Sequence, residues 1–592
     1  MSPEEAAAAS GSGRSSHNRR IGFAALAFGL AAVLLVLIDR SGAPERLVRA
    51  LALGITLAGM AVVGILGRTM QVSRFYAMGA NIAPAVAGLG CAALVFGLAL
   101  PLLPGLHAGV AAAVEARVLL AGCAAGLAFG ALAIWPLLRA TGAFSLADLL
   151  AARFSGGPVR FLTASLTALV GALIAMTGAS LALQALISGA GMTAAAAAGL
   201  LALTLACVCV PGGLRGAFGG ALASGGFLIL ALGGAVLYAI MARQGQPLAT
   251  AGALAVGAAT DALQTLGQAA TEAAGRDTVP LALVAALGLA TLAPLTQCGL
   301  ACSSPGQSRR AGLGALGWGL AIFTVAAFLA TLGEQNLASL FSGQAALPQW
   351  LFDPGAGGAL AFCGQSAASL AAAQKACAQD PGFPGALQLS NIDAGGAWLL
   401  LSLPRFAAAN PAIRGLVAAT AAALGVSVAA MGLHAFATAV GHDALYRRGG
   451  LPVLTSARLA MTRLVMLGGA LCLALAGVSV KPDPRVLVGL AVALSAATFA
   501  PLLLLAFWPR ATGGHAAAAT LAGLACFALA LARAGLSPGY AQLADATLVG
   551  IAAALLTGVC LGLTSRTRPA NRAAAQGLRR GTLKALQQRP GA

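Results

Sequence analysis

The chain has 592 residues, of which 59% are hydrophobic and only 9% charged, with a mean hydropathy of +0.89 and a formal net charge of +19. A soluble domain carries about 25% charge, so these figures exclude a soluble enzyme and indicate a polytopic membrane protein. The positive charge sits in short loops with no separate polar domain, which argues against a nucleic-acid partner and leaves the lipid bilayer as the environment.

Fourteen apolar segments are expected to be helical spans, at roughly 21–38, 47–66, 82–103, 118–138, 161–187, 192–210, 218–241, 280–302, 311–332, 414–440, 457–479, 486–508, 515–535 and 546–564. A stretch of about 20 apolar residues crosses a bilayer. Residues 1–20 form a small, polar N-terminal tail without a cleavable signal, closed by Arg19-Arg20. With this tail placed in the cytoplasm, 23 of the 35 Lys and Arg residues fall on the cytoplasmic side, as does the basic tail 565–592. That asymmetry sets the expected orientation, with both termini in the cytoplasm; a bacterial inner membrane is the expected location.

No Asp or Glu lies within any span, which removes the usual intramembrane proton relays and cation ligands. Arg458 and Arg463 open the eleventh span and read as snorkelling toward the cytoplasmic face. The one long loop, 333–412, is external on this topology. It holds a helix-like patch at Gly364–Ala376, a Pro-Gly-rich turn and a short apolar piece at Trp398–Leu403, and is long enough to cover a substrate entrance. Nine of the eleven cysteines lie in or at the edges of spans and read as small packing residues. Cys207 and Cys209 face different ways on a helix, so no metal pair is expected. Cys363 and Cys377 lie in the external loop and would form a disulfide if that compartment is oxidising.

The segment Arg414–Arg448 organises the chain: an apolar run carrying Thr420, Ser427, His434 and Thr438, closed by His442-Asp443 and Arg447-Arg448. His434 is either a proton-sensitive group or a hydrogen-bonded packing residue. His442 with Asp443 reads as a helix-end and loop anchor. In the eighth segment, Thr291-Leu292-Ala293-Pro294-Leu295-Thr296-Gln297-Cys298-Gly299 is the most polar intramembrane stretch. Pro removes a backbone bond that something must replace. The stretch is therefore either an unwound, substrate-facing segment or a kinked packing helix whose hydroxyls bond its own backbone.

Several motifs in collinear order resemble the sodium:solute symporter family, specifically its acetate/monocarboxylate permease branch. They are RTMQVSRFYAMG at 68–79, RATGAFSLADLLAARF at 139–154, Gly212-Gly213-Leu214-Arg215, Pro294–Gly312 with its SSPGQSRRAG, the region 403–443, and the helix at 486–509. The resemblance implies a LeuT-like core of two inverted five-helix repeats, at 82–241 and at 280–508, the second including the loop 333–412. Two peripheral helices at 21–66 and two C-terminal helices at 515–564 would be additions.

It further implies that the first helix of each repeat is broken near the midplane. The breakers would be Pro84, Gly88 and Gly90 in the first repeat and Gly288, Pro294 and Gly299 in the second. Gly88, Gly90, Thr291, Pro294 and Thr296 would then face substrate. Ser427 falls where the family has the first hydroxyl of a cation-binding pair, Val428 occupying the second; a Ser satisfied by its own preceding turn is the competing reading.

This chain departs from the family where a polar Asn/Asp-bearing run is replaced by GLGCAALVF at 88–96, and where a Thr/Gln run is replaced by the Gly/Ala stretch 219–224. Two functions stay open: Na+- or H+-coupled symport of a small monocarboxylate such as acetate, with no cofactor beyond the coupling ion, or a transport-inactive relative serving as sensor or partner subunit. A channel is a third, weaker option.

Overall fold

The computed structural model describes residues 29–78, 82–103, 110–154, 157–189, 191–242, 278–342, 347–352, 360–363, 365, 367, 369–379, 383, 387–388, 391–394, 411–445, 455–535, 539–565 and 569–587. Residues 29–40 are helical. Helix α1 (Glu45–Leu66) follows Pro44, and its Glu45 carboxylate meets Arg414 at 3.0 Å. The short α2 (Val72–Ala77) stops at Met78, which takes a left-handed conformation (φ 61°). Helix α3 (Pro84–Ala99) starts on a proline in its first turn, where a missing N–H costs nothing.

Helix α4 (Val110–Phe129) passes through a π turn at Gly130–Ile134 into α5 (Trp135–Thr141). Gly142 ends α5 at φ 72°, its N–H bonding the Leu138 carbonyl. Then come α6 (Leu146–Phe154), α7 (Gly157–Gln184), α8 (Ala194–Cys209, capped by the Thr193 hydroxyl) and α9 (Leu214–Ala242). Helices α10 (Thr278–Thr291) and α11 (Ala293–Cys298) meet at a 46° bend and lead to α12 (Pro305–Ser342).

In the 333–412 loop, strands β1 (Leu360–Phe362) and β2 (Ile392–Ala394) pair antiparallel, Ala361 opposite Asp393. They flank α13 (Leu370–Cys377), which Ser369 caps through the Ala372 N–H. Phe352, Phe362, Ala373 and Ile392 form a small apolar cluster there, and a disulfide joins Cys363 to Cys377. The chain closes with α14 (Pro411–Thr438, continued by a π turn to Leu445), α15 (Thr455–Ser479), α16 (Pro484–Ala506), α17 (Gly513–Ala534), α18 (Tyr540–Thr564) and α19 (Pro569–Gln587).

Among the described residues ten helices are long and apolar enough to cross a membrane, or up to eleven if the bent pair α10–α11 is one span. Of the expected fourteen segments, three are not among these: the sixth is a helix of only 16 residues, the first is described only from residue 29, and the ninth lies within Pro305–Ser342, which is not counted as a span. The outward faces are apolar. On α15, Leu464, Leu467, Leu471 and Leu475 recur at helical spacing and are each more than half exposed. Such a stripe on so many helices is stable only against hydrocarbon, so the chain is a multi-span membrane protein in contact with lipid.

The centre of the fold is α14, the helix of the organising segment; nearly all of its residues from Ala419 to Thr438 are buried. Its most extensive contact is with α7. The two run antiparallel: Gly171 and Ala175 lie against Gly432 and Phe436, while Gly178 and Ala182 lie against Gly425 and Ala429. A Cβ added at Gly178 would sit 2.5 Å from the Gly425 carbonyl oxygen. Lipid tails are as apolar as leucine, so helices associate here by close backbone packing, and small residues every seventh position permit it.

Four features differ from the sequence expectations. Among the described residues the helix is not interrupted at Gly88 or Gly90: α3 runs helical from Pro84 to Ala99. Its glycines are used for approach instead, since a Cβ at Gly88 would meet the backbone of Gly314 and Ala315 on α12, and one at Gly90 would meet Leu222 and Phe218 on α9. Arg458 and Arg463 do not snorkel. Arg458 stacks 4.9 Å over the Tyr76 ring, and Arg463 donates to the carbonyls of Thr69 (2.6 Å) and Val210 (3.1 Å). Helix α12 continues ten residues past the expected end of its segment. Finally, the basic tail is not merely solvated: α19 buries Ala575 and Leu578 and packs on α5. The apolar piece expected at Trp398–Leu403 lies outside the described residues.

Candidate functional site

The bend between α10 and α11 follows from one residue. Pro294 has no N–H to return to the preceding turn and its ring crowds that turn's carbonyl. The chain therefore leaves the helix at Leu292, which is extended (φ −61°, ψ 120°), and restarts at Ala293 with Pro294 in the new first turn. The Leu292 carbonyl takes up the restart, accepting from the N–H groups of Leu295 and Thr296, each at 3.0 Å. Every residue from Gly288 to Cys302 is buried, so the bend lies inside the helix bundle, packed against α14, α3, α7 and α5.

The expected site residues divide around this bend. Thr291 gives its hydroxyl to the Leu287 carbonyl (2.8 Å) and meets the Ser495 hydroxyl of α16 at 3.0 Å, tying α10 to α16. Thr296 bonds the Ala293 carbonyl of its own turn (2.9 Å). Ser427 donates to the Ala423 carbonyl (2.9 Å), is fully buried, and its oxygen lies 4.0 Å from where a Cβ on Gly220 of α9 would be. Gly97 of α3 faces Val428, not Ser427. Gly88 and Gly90 lie in helix-to-helix contacts, as described above. His434 is fully buried, with Nε2 3.4 Å from the Thr438 hydroxyl and Nδ1 unpartnered.

One residue was missed by sequence reasoning. Gln297, 1% exposed, has both its amide nitrogen and its amide oxygen without a hydrogen-bond partner among the described residues. Burying such a group unpaired costs about 1–3 kcal/mol per donor or acceptor, which makes this amide a candidate contact for a polar ligand. The signal was present in the sequence: an amide three residues after an intramembrane proline, too long and too polar to be packing alone. Cys298 beside it donates its thiol to the Pro294 carbonyl, and Cys91 of α3 lies against it.

A second polar cluster gathers on the face where α2, α6, the α14 π turn and α15 meet. The Asp443 carboxylate accepts from the Ser145 hydroxyl (2.9 Å), which itself caps the Asp148 N–H. Tyr76 and Thr462 share a 2.7 Å hydrogen bond, and the rings of Tyr76 and Phe144 each lie within 5.4 Å of His442. Burial pushes the Tyr76 hydroxyl above its ordinary value, opposed by its bond to Thr462 and by Arg458. Arg153 donates to the Ala506 (2.7 Å) and Trp508 (3.1 Å) carbonyls at the end of α16, and burial pulls its guanidinium below the usual range. Among the described residues no group of three or more His, Cys, Asp or Glu could hold a metal ion.

No family model matches the chain. A stretch of 128 residues is 35% identical to an uncharacterized symporter of Cupriavidus necator, covering 21% of this chain and 19% of that protein; the chain thus matches about a fifth of the relative's length. The whole fold is similar to a solved Na+-coupled sialic acid symporter in a substrate-bound, outward-open state. The TM-score is 0.61 over 88% of this chain and 98% of that one, at 14% identity, which is a likeness of fold. A manganese transporter of Eremococcus coleocola covers 88% of this chain and 96% of its own at 14% identity, with a TM-score of 0.39, too loose a superposition to argue from.

Proposed function

We propose that this chain is a secondary transporter of the sodium:solute symporter family, coupling a Na+ or H+ gradient to uptake of a small monocarboxylate such as acetate. The observation that carries it is the bend at Leu292: an interrupted helix in the middle of a buried bundle, followed within one turn by a buried amide lacking partners. Interrupted backbone at membrane depth is tolerated only where protein or a cavity satisfies it, and in transporters such half-helices form the substrate site. The fold likeness to a Na+-coupled symporter supports the same reading. On it, residues 82–241 and 280–508 are two repeats related by inversion. The face holding Tyr76, Asp443 and α19 is cytoplasmic, in a bacterial inner membrane. Thr291, Pro294, Thr296 and Gln297 line the substrate path with Gly88 and Gly90 behind it, and Ser427 offers its lone pairs to the cation.

The second reading is a transport-inactive relative acting as sensor or partner subunit. It is favoured by the unbroken α3, whose 88–96 stretch holds no side-chain oxygen, and by the engagement of the Thr291 hydroxyl with its own Leu287 carbonyl and with Ser495 of α16. The test is uptake of labelled acetate into proteoliposomes under an inward Na+ gradient, an inward H+ gradient, or neither. Gradient-driven accumulation supports symport and names the ion, and Ser427→Ala should then weaken a Na+-driven process. No uptake of acetate or of a wider monocarboxylate panel by folded protein would sink the symport reading.

A further inference from the structure

On the face that carries α2, α6 and α19 there is a cavity of about 290 Å3, lined by Ser73, Ala77, Leu138, Arg139, Gly142, Ala143, Phe144 and Leu300. Its chemistry is uneven. One cationic side chain, Arg139, and one hydroxyl, Ser73, share a wall that is otherwise apolar or backbone. Arg139 is poorly occupied: Nε and Nη2 both point at the Ser303 carbonyl, each at 3.3 Å, which is long for such bonds. A guanidinium carries five N–H donors in a planar fork. Among the described residues no carboxylate lies within ion-pairing distance of it, whereas Glu45 pairs with Arg414 and Asp443 accepts from Ser145. The nearest acid in sequence, Asp148, accepts from the Phe144 N–H (3.4 Å) and is not part of the wall.

The position matters as much as the composition. Leu300 belongs to the 3-10 turn that continues α11, and Ala77 ends α2, just before α3. The cavity therefore lies at the end of the interrupted helix, beside the end of α2.

We propose that this cavity is a binding site for a small carboxylate anion, with Arg139 holding the carboxylate and Ala77, Leu138, Phe144 and Leu300 receiving its hydrocarbon part. A guanidinium fork matches a carboxylate in two parallel bonds. The volume, at the small end of ligand pockets, suits a short-chain or monocyclic acid. Inorganic phosphate shares the negative charge but gains nothing from the apolar wall. The site stands on the cavity's own geometry; that its ligand is the transported anion, bound on its way out, rests on the transport reading.

The test needs no transport. Ser73→Cys puts a thiol on the exposed side of α2 and in the wall. Its modification by an anionic sulfonate reagent and by a cationic ammonium reagent is followed in proteoliposomes with that face accessible, and peptide mass spectrometry separates it from the native thiols. Benzoate and acetate should slow modification by the factor 1 + [L]/Kd, about threefold at twice the Kd, and phosphate should slow it much less. Arg139→Gln should abolish the protection and lower the preference for the anionic reagent by about tenfold; Arg139→Lys should keep part of both.

A thiol that is never modified, carboxylates that give no protection, protection undiminished in Arg139→Gln, or protection equally strong with phosphate would overturn the proposal. Acetate uptake measured in the same vesicles separates the two readings. Protection without uptake removes transport and leaves the anion site, and uptake without protection removes the site and leaves transport.

Discussion

The seam between α7 and α14 makes a prediction whose size can be worked out. In Gly178→Ala the new methyl would lie 2.5 Å from the Gly425 carbonyl oxygen and 2.8 Å from the Ala429 Cα, and closer still to the Ala429 nitrogen. All are backbone atoms of a buried helix, so no side chain can swing away. Ordinary contact begins at 3.4 Å, so the helices must separate by about 0.9 Å at the carbonyl and by more at the Ala429 nitrogen. A gap of 0.5–1 Å forfeits a quarter to a half of each contact well of about 0.1–0.2 kcal/mol. Over about 30 atom pairs along the seam the loss is about 2 kcal/mol, within the range found for overpacked cores and about 30-fold in the folded-to-unfolded ratio.

The intrinsic helix gain of Ala over Gly must be removed from this figure. Gly199→Ala on α8, where an added Cβ meets nothing within 4 Å, supplies the reference. Unfolding in mixed detergent–SDS micelles, followed by far-UV circular dichroism, measures both variants. Gly178→Ala should fall about 2 kcal/mol below Gly199→Ala. Equal stabilities would show that the seam is not close-packed and that α14 is not held by α7.

Other outcomes follow from single contacts. Tyr76→Phe removes the 2.7 Å bond to Thr462 and should cost about 1 kcal/mol in the same unfolding assay at neutral pH. Because burial raises the Tyr76 pKa above 10.0, the wild-type hydroxyl contributes stability that is present below pH 10 and is lost as pH rises through the raised value. The difference between wild type and Tyr76→Phe should therefore shrink on titration upward from pH 10, and a constant gap would refute it. Gln297→Leu replaces an amide without partners by an apolar side chain, so folding stability should hold or rise by about 1–3 kcal/mol while acetate uptake is lost; a destabilised protein would mean that the amide is satisfied in the resting fold. Arg463→Met should cost about 2 kcal/mol by releasing the Thr69 and Val210 carbonyls, and a neutral effect would restore the snorkelling picture for that side chain.

How far the sequence reached can be judged residue by residue. Pro294 announced the bend because a residue without an N–H leaves a gap in a helix wherever it sits. Gly88 and Gly90 looked like the same signal and were not. Glycine serves equally as a helix breaker and as a place for another backbone to come close, and only the neighbours, Gly314 and Phe218, decide between them. The arginines of α15 misled for a related reason: a long basic side chain near a span end can reach water or reach partners within the protein, and the Tyr76 ring under Arg458 and the Thr69 and Val210 carbonyls on Arg463 come from distant parts of the chain. Ser145 and Asp443 are nearly 300 residues apart, and no local pattern joins them. Ala575 and Leu578, three apart within an Arg-rich tail, did carry a legible helical period that composition alone concealed.

Helix α19 gives the protein an outside handle on its inside. Its inner face is seated on α5, Arg579 reaches the Phe507 carbonyl at 3.2 Å, and Leu583 on the other side is 56% exposed. Helix α5 carries Trp135, which packs against Gly299 at the end of the interrupted helix, and Arg139, which walls the cavity. A spin label or fluorophore at position 583 would thus be mechanically geared, through two packed contacts, to the buried bend, and its distance to a label on α17 would report rearrangement of the core without a single probe inside the membrane.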